Sequence, residues 1–310
     1  MSTKKEIKYF LFIVLFIDLL IGITCKYFYK ADNIGVITLV MSLVPAFIAI
    51  LLEKDFKLKD LSKDKFSLIY SLYFIIFIFF YILSLFSEKV LNNINFVVSL
   101  GWVISLYVLT IDDKRLRGKF NFSLFLKWAL VVIIIDLFRM GILNFYFQSE
   151  VDFTDLFNRL VGTFTLGLFT ATFNLIFTMG EEYGWRYFLQ TRFQSLYGNR
   201  IGVLLTGIMW GLSHLPLYFF VFYSGIEGLY AGIDITVFCI TIGIVLGLIY
   251  MESRSVLAVT FIHLFHNMFM ANVTSADYNQ DFIFTKEFLL VSVITAILVY
   301  TPFLLHKKYK

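Results

Sequence analysis

Residues 160–186 read LVGTFTLGLFTATFNLIFTMGEEYGWR, an apolar stretch that runs without a charge into Glu181-Glu182-Tyr183-Gly184-Trp185-Arg186. Its length suits a helix crossing a ~30 Å hydrocarbon core, which needs ~20 apolar residues. Adjacent carboxylates are among the last groups such a helix should carry. Each charge at the centre of a span costs roughly 2.5–3.5 kcal/mol on insertion scales. Carboxylates that persist within a membrane line wet cavities and mark functional sites. Both the fold and the chemistry therefore follow from this stretch.

The rest of the chain agrees about its class. Of 310 residues, 59% are hydrophobic and only 15% charged, with 38 Phe, 18 Tyr and a mean hydropathy of +0.82. A soluble domain carries ~25% charged residues. Apolar stretches lie near 9–25, 34–52, 66–86, 94–111, 124–146, 158–190, 200–222, 232–251, 255–273 and 285–305. The expected fold is all-α, a polytopic membrane helical bundle of about ten transmembrane helices. The sixth stretch is too long for one span, so part of it must leave the membrane. Lys4 and Lys5 precede the first stretch, but no small-residue cleavage site follows it, so it is expected to be a retained helix.

With the N-terminus in the cytosol and alternating spans, most of the 26 Lys and Arg fall in cytosolic stretches. Both termini are then cytosolic. The net charge of +4 faces anionic lipid and needs no nucleic acid. Cys25 and Cys239 lie in separate apolar stretches and suit packing, not a disulfide framework or metal motif. The loop 53–65 alternates Lys with acids and suits a solvated connector. Polarity divides the chain into residues 1–150, with five helices; 151–275, which concentrates the chemistry; and 276–310, a last helix and basic tail. In the first part the polar residues are scattered (Asp18, Lys127, Asp136 and Arg139); Asp136 and Arg139 are spaced to neutralise each other on one helix face, or else line a substrate path. Gly243 and Gly247 form a G-x-x-x-G suited to close packing within the bundle.

Glu182 and Arg186 are four apart in the favourable order for a helical ion pair. Glu181 is rotated from Glu182 by about 100° and is free to face a cavity. His214 lies in Trp210-Gly211-Leu212-Ser213-His214-Leu215-Pro216, where the proline should kink the helix and open room for water. His263 and Asn267 are four apart and share a face, and both can donate to one oxygen atom. His266 points elsewhere and suits packing; His306 suits a solvated tail. If the sixth helix runs on to a cytosolic interface near Arg192, Glu181 lies ~16 Å deep, His214 ~21 Å, His263 ~12 Å and Asn267 ~18 Å. These depths form one layer toward the cytosolic half. A helix that stopped at Glu181 would leave its carboxylate too shallow to meet His214.

Glu181-Glu182-x-x-x-Arg186, Trp210-x-x-x-His214 and His263-x-x-x-Asn267 together resemble the three motifs of the CPBP family, the CAAX-protease and bacteriocin-processing (Abi) intramembrane proteases. Gly184-Trp185-Arg186 and His214-Leu215-Pro216-Leu217 are similar too. The resemblance covers roughly 155–275. It departs at Tyr187, where the family commonly has glycine, and Tyr187 is expected to narrow the cavity or alter substrate fit without removing a catalytic group. The resemblance implies endopeptidase activity within the membrane. Carried onto this chain, Glu181 is the base that activates water and His214 holds and polarises that water. His263 and Asn267 stabilise the oxyanion, with Glu182 and Arg186 in support.

The family is often called a metalloprotease group. No H-E-x-x-H is present, and Glu181, His214 and His263 form an alternative His₂Glu zinc set. The favoured scheme needs no cofactor. The expected partners are membrane lipid and a peptide or protein substrate at the membrane, not nucleic acid. Residue composition hints at an AT-rich bacterial genome, a bacterial plasma membrane and leader, bacteriocin or signalling peptides as substrates. A non-catalytic immunity or regulatory protein of the same fold is one alternative, although none of the site residues is missing. An ion-coupled transporter is another, although no repeat or paired broken helices support it.

Overall fold

The computed structural model describes residues 1–28, 34–147, 153–163, 165, 168–274 and 283–310. Among the described residues the chain is helical, with no strand. The long helices are α1 (Thr3–Phe28), α2 (Ile34–Glu53), α3 (Lys65–Ser84), α4 (Asn95–Val108) and α5 (Phe122–Phe147). They continue with α6 (Leu175–Glu182), α7 (Asn199–Leu217), α8 (Gly225–Ser253), α9 (Val256–Thr274) and α10 (Lys286–Tyr300). Among the described residues, each apolar stretch read from the sequence falls mainly on helix. Among the described residues, five helices are long and apolar enough to cross a membrane: Thr3–Phe28, Lys65–Ser84, Asn199–Phe222, Gly225–Ser253 and Lys286–Leu305. Thr38–Glu53, Asn95–Val108 and Val256–Ala271 are shorter apolar helices.

α8 forms the centre. From Ile242 to Met251 every side chain is buried, and α7 and α10 pack along it. At Gly247 an added Cβ would lie 2.6 Å from Val203 on α7, so the G-x-x-x-G serves packing inside the bundle. The outer faces carry exposed Phe12, Phe16, Phe79, Val103, Ile134 and Leu298. So many large apolar side chains facing outward suit lipid, not water.

α6 is the irregular element. Short helices Phe153–Gly162 and Leu168–Phe173 lead into it. After Glu182 it widens into a π-helical run, Tyr183–Gln190, and closes as α-helix over Thr191–Tyr197. The helical path therefore runs past Glu181 to beyond Arg192, as the depth argument requires. A second π-helical run, Tyr218–Phe222, follows α7. Pro216 lacks the N–H that would hold the preceding turn, so the ladder widens there.

The connector 53–65 is not simply solvated. Arg115 donates to Asp64 at 3.0 Å and to the Tyr183 hydroxyl at 3.1 Å, and that hydroxyl donates to Glu53 at 2.7 Å. Two cytosol-assigned loops thus grip the π-helical run. Their partners are far apart in sequence, which is why local charge alternation did not reveal them.

Candidate active site

Glu182 is fully buried and points into the bundle. Its Oε1 accepts from His263 Nδ1 at 2.7 Å, and its Oε2 lies 3.2 Å from Arg186 Nε. The expected ion pair is therefore present, but it is off-angle for a hydrogen bond. None of the three guanidinium nitrogens has a hydrogen-bond acceptor among the described residues. The guanidinium instead lies 4.1 Å from the centre of the Trp210 ring, a desolvated cation–π contact. Gly184 lets this part of the helix reach α2, since a Cβ there would lie 2.2 Å from Pro45.

Glu181 turns away from Glu182, as its rotation predicts. Its Oε2 accepts from Trp210 Nε1 at 2.9 Å. One turn on from Trp210, His214 Nδ1 lies 2.8 Å from the Trp210 carbonyl oxygen. A carbonyl can only accept, so Nδ1 carries the proton. In the neutral ring, Nε2 then presents a lone pair. The Trp210 ring is edge-on to both histidines, with centroids 5.8 Å from His214 and 5.3 Å from His263. Glu181, Arg186, His214 and His263 are therefore assembled around one indole. Glu181 and His214 line a cavity of about 150 Å³ with Asp18, Ser42, Pro45 and Ser213.

Asn267 lies elsewhere. It is exposed and lines a larger cavity of about 580 Å³ with Arg139, Asp234, His266 and Ser292. His266 is a buried packing residue, bonded to Asp136 at 2.8 Å and stacked on Phe238. Asp136 and Arg139 do not neutralise each other. Asp136 also accepts from Tyr300 at 2.9 Å, while Arg139 donates to Ser292 at 2.7 Å. Three helical steps leave the two side chains about 60° apart, and each finds a nearer partner on another helix. Tyr187 lies against Tyr183, ring centroids 4.6 Å apart and planes tilted by 46°, and is not among the lining residues of the smaller cavity. The expected narrowing is therefore not found. His306 is half-buried and lies 3.7 Å from Glu252, not free in solvent.

The alternative zinc set can be tested against this geometry. Among the described residues, no three His, Cys, Asp or Glu side chains are grouped to hold a metal ion. Trp210 stands against both histidines, and the Glu181 oxygen that faces it is already bonded. Glu181, His214 and His263 do not form a ready metal site in this arrangement.

Two contributors carried no assigned role in the sequence. Trp210 appeared only as the aromatic of a motif, yet it touches four polar groups. Asp18 appeared only as a scattered charge, yet it reaches the Glu181 cavity. A buried acid in a membrane helix was the available signal for Asp18; its location needed the packing of α1.

Residues 163–269 match the family model described as type II CAAX prenyl endopeptidase Rce1-like. This segment holds all three motifs and bears out the resemblance to CPBP intramembrane proteases, over about a third of the chain. No curated protein and no solved structure matches the chain. The apolar helices and the family match make this an integral membrane protein.

Proposed function

We propose that the chain is an intramembrane endopeptidase that hydrolyses a peptide bond with water activated by Glu181. The observation that carries this is the convergence of Glu181, Arg186, His214 and His263 on Trp210, within the segment that matches a peptidase family. Trp210 fixes one oxygen of Glu181, which leaves the other to take a proton from water. His214 Nε2 accepts a hydrogen bond from the same water and orients it. Nδ1 of His263 is committed to Glu182, so its Nε2 is the atom available to the reaction. When that nitrogen carries a proton, it donates to the oxyanion of the tetrahedral intermediate. Asn267, one turn on from His263, is the second donor in this scheme, which requires the larger cavity it lines to reach the same oxyanion once substrate is bound. Donors placed in advance at a developing oxyanion contribute several kcal/mol each.

In this scheme ten helices span a bacterial plasma membrane, both termini are cytosolic and the site sits in the cytosolic half. Peptide leaders, bacteriocins or signalling peptides are the substrates. Labelling of introduced cysteines from each face checks the topology: positions 57 and 117 should label from the cytosol, and 88 and 286 from outside.

Glu181→Gln keeps the shape and removes the base. Comparative peptidomics of cells carrying wild type or this variant should show cleaved products only with wild type. A folded variant keeping more than about a tenth of the activity, where loss of a general base costs ~10²–10⁴, would exclude Glu181 as the base.

A further inference from the structure

α1 packs tightly on α7 where Gly22 faces Pro216. A Cβ at residue 22 would lie 2.5 Å from Pro216 Cβ and 3.1 Å from the Pro216 carbonyl carbon and oxygen. Any larger side chain would push the helices apart. Asp18 lies one turn before Gly22 on the same face, and His214 lies two residues before Pro216. The close approach therefore carries Asp18 to the level of His214 and into the cavity that holds Glu181.

Asp18 is 2% exposed, and its buried Oδ1 has no hydrogen-bond partner among the described residues. An ionised carboxylate so placed would be costly. The lining of the cavity includes two carboxyl groups and no Lys or Arg. One negative charge in so small a space is cheaper than two. The hydrogen bonds say which group bears it. Glu181 Oε2 accepts from Trp210 Nε1, whereas Asp18 Oδ1 accepts from nothing among the described residues. His214 does not fill the role of acid in its neutral form, because its only N–H points at the Trp210 carbonyl.

We propose that Asp18 is a further catalytic residue, the acid that protonates the leaving amine. The proposal rests on the peptidase reading above. In the first step an O–H bond of water breaks, its proton passes to Glu181 and its oxygen bonds to the peptide carbon. In the second the C–N bond breaks, nitrogen keeps the electron pair and takes the Asp18 proton. The proton on Glu181 then returns to Asp18 through cavity water, and one water has been consumed.

The test uses full-length wild type, Asp18→Asn, Glu181→Gln and Gly22→Ala in detergent, each checked by thermal melting. Infrared spectroscopy at pH 7 should show a protonated-carboxyl band in wild type that is absent in Asp18→Asn. The band should weaken in Glu181→Gln, where the neighbouring charge is gone. No Asp18-dependent band in wild type at any pH from about 5 to 8, where the acid should hold its proton, overturns the proposal. Membranes from cells carrying Glu181→Gln serve as substrate, with new peptide termini counted by mass spectrometry. Asp18→Asn should slow their formation by ~10² or more and remove the alkaline fall in rate. Gly22→Ala should slow it as well, while Gly141→Ala, whose Cβ would meet nothing within 4 Å, should not. A folded Asp18→Asn at the wild-type rate overturns the acid role and leaves the peptidase reading standing. No new termini from wild type overturns both, and the infrared arm still reports whether the two carboxyls share a proton.

Discussion

Trp210 donates its indole N–H to Glu181 Oε2 at 2.9 Å while its ring face receives the Arg186 guanidinium at 4.1 Å. One side chain thus orients the proposed base and covers the buried cation behind it. Phenylalanine at this position would keep the second function and lose the first. Trp210→Phe should therefore lower kcat about tenfold or more through loss of a charge-assisted hydrogen bond, with KM and melting temperature little changed. Equal kcat in the two proteins would show that the bond does not position Glu181.

Glu182 is fully buried and holds both the Arg186 guanidinium, at 3.2 Å, and the His263 ring, at 2.7 Å. Glu182→Gln leaves Arg186 buried without an anion, and breaking a buried pair in this way costs ~3–5 kcal/mol. The double variant Glu182→Gln/Arg186→Met should recover much of that stability. It should not recover activity, because His263 has still lost its carboxylate. Chemical denaturation and turnover on the same preparations separate the two effects.

Asn267 is tested by its place in the larger cavity. If it donates to the oxyanion, Asn267→Ala should lower kcat by ~10²–10³ and leave KM nearly unchanged, since the oxyanion exists only after attack. A normal kcat would leave His263 as the sole proposed donor.

The metal-free scheme and the alternative zinc set of Glu181, His214 and His263 are separated by metal removal. Protein stripped with strong chelators should keep its activity, and elemental analysis should find no stoichiometric zinc. Activity lost on stripping and restored by zinc would overturn the metal-free scheme.

Asp64, at the cytosol-assigned end of α3, supplies a pH signature. Burial alone would push its carboxyl up, but the Lys54 ammonium, the Ser67 N–H and the Arg115 guanidinium outweigh it and hold the group at about 2. The unfolded value is ~3.9, so the folded state gains stability above that pH. The gain is lost as pH falls from ~4 toward 2. It is on the order of 2 kcal/mol, reduced by solvent screening at a side chain 23% exposed. Melting curves of Asp64→Asn should lack this acid limb; an unchanged limb would assign it to other carboxylates.

Much of this was legible before the structure. Charge scarcity and apolar run length gave the helices, because lipid leaves the backbone few other choices. The four-residue spacing gave the Glu182–Arg186 pair, and the rotation of Glu181 gave its separate direction. Contacts between distant helices were not legible. Nothing local says that Arg139 will prefer Ser292 to Asp136, or that Tyr187 will lie against Tyr183. The π-helical run was also missed, since residue periodicity registers the usual α-helical turn and gives no sign of a wider one.

The cavity wall has a consequence for how the chain can be divided. Asp18, Ser42 and Pro45 come from α1 and α2, whereas the family match begins at residue 163. A fragment trimmed to the matched segment would carry all three motifs and open one side of the water chamber. The unit that the family model recognises is smaller than the unit that encloses this cavity.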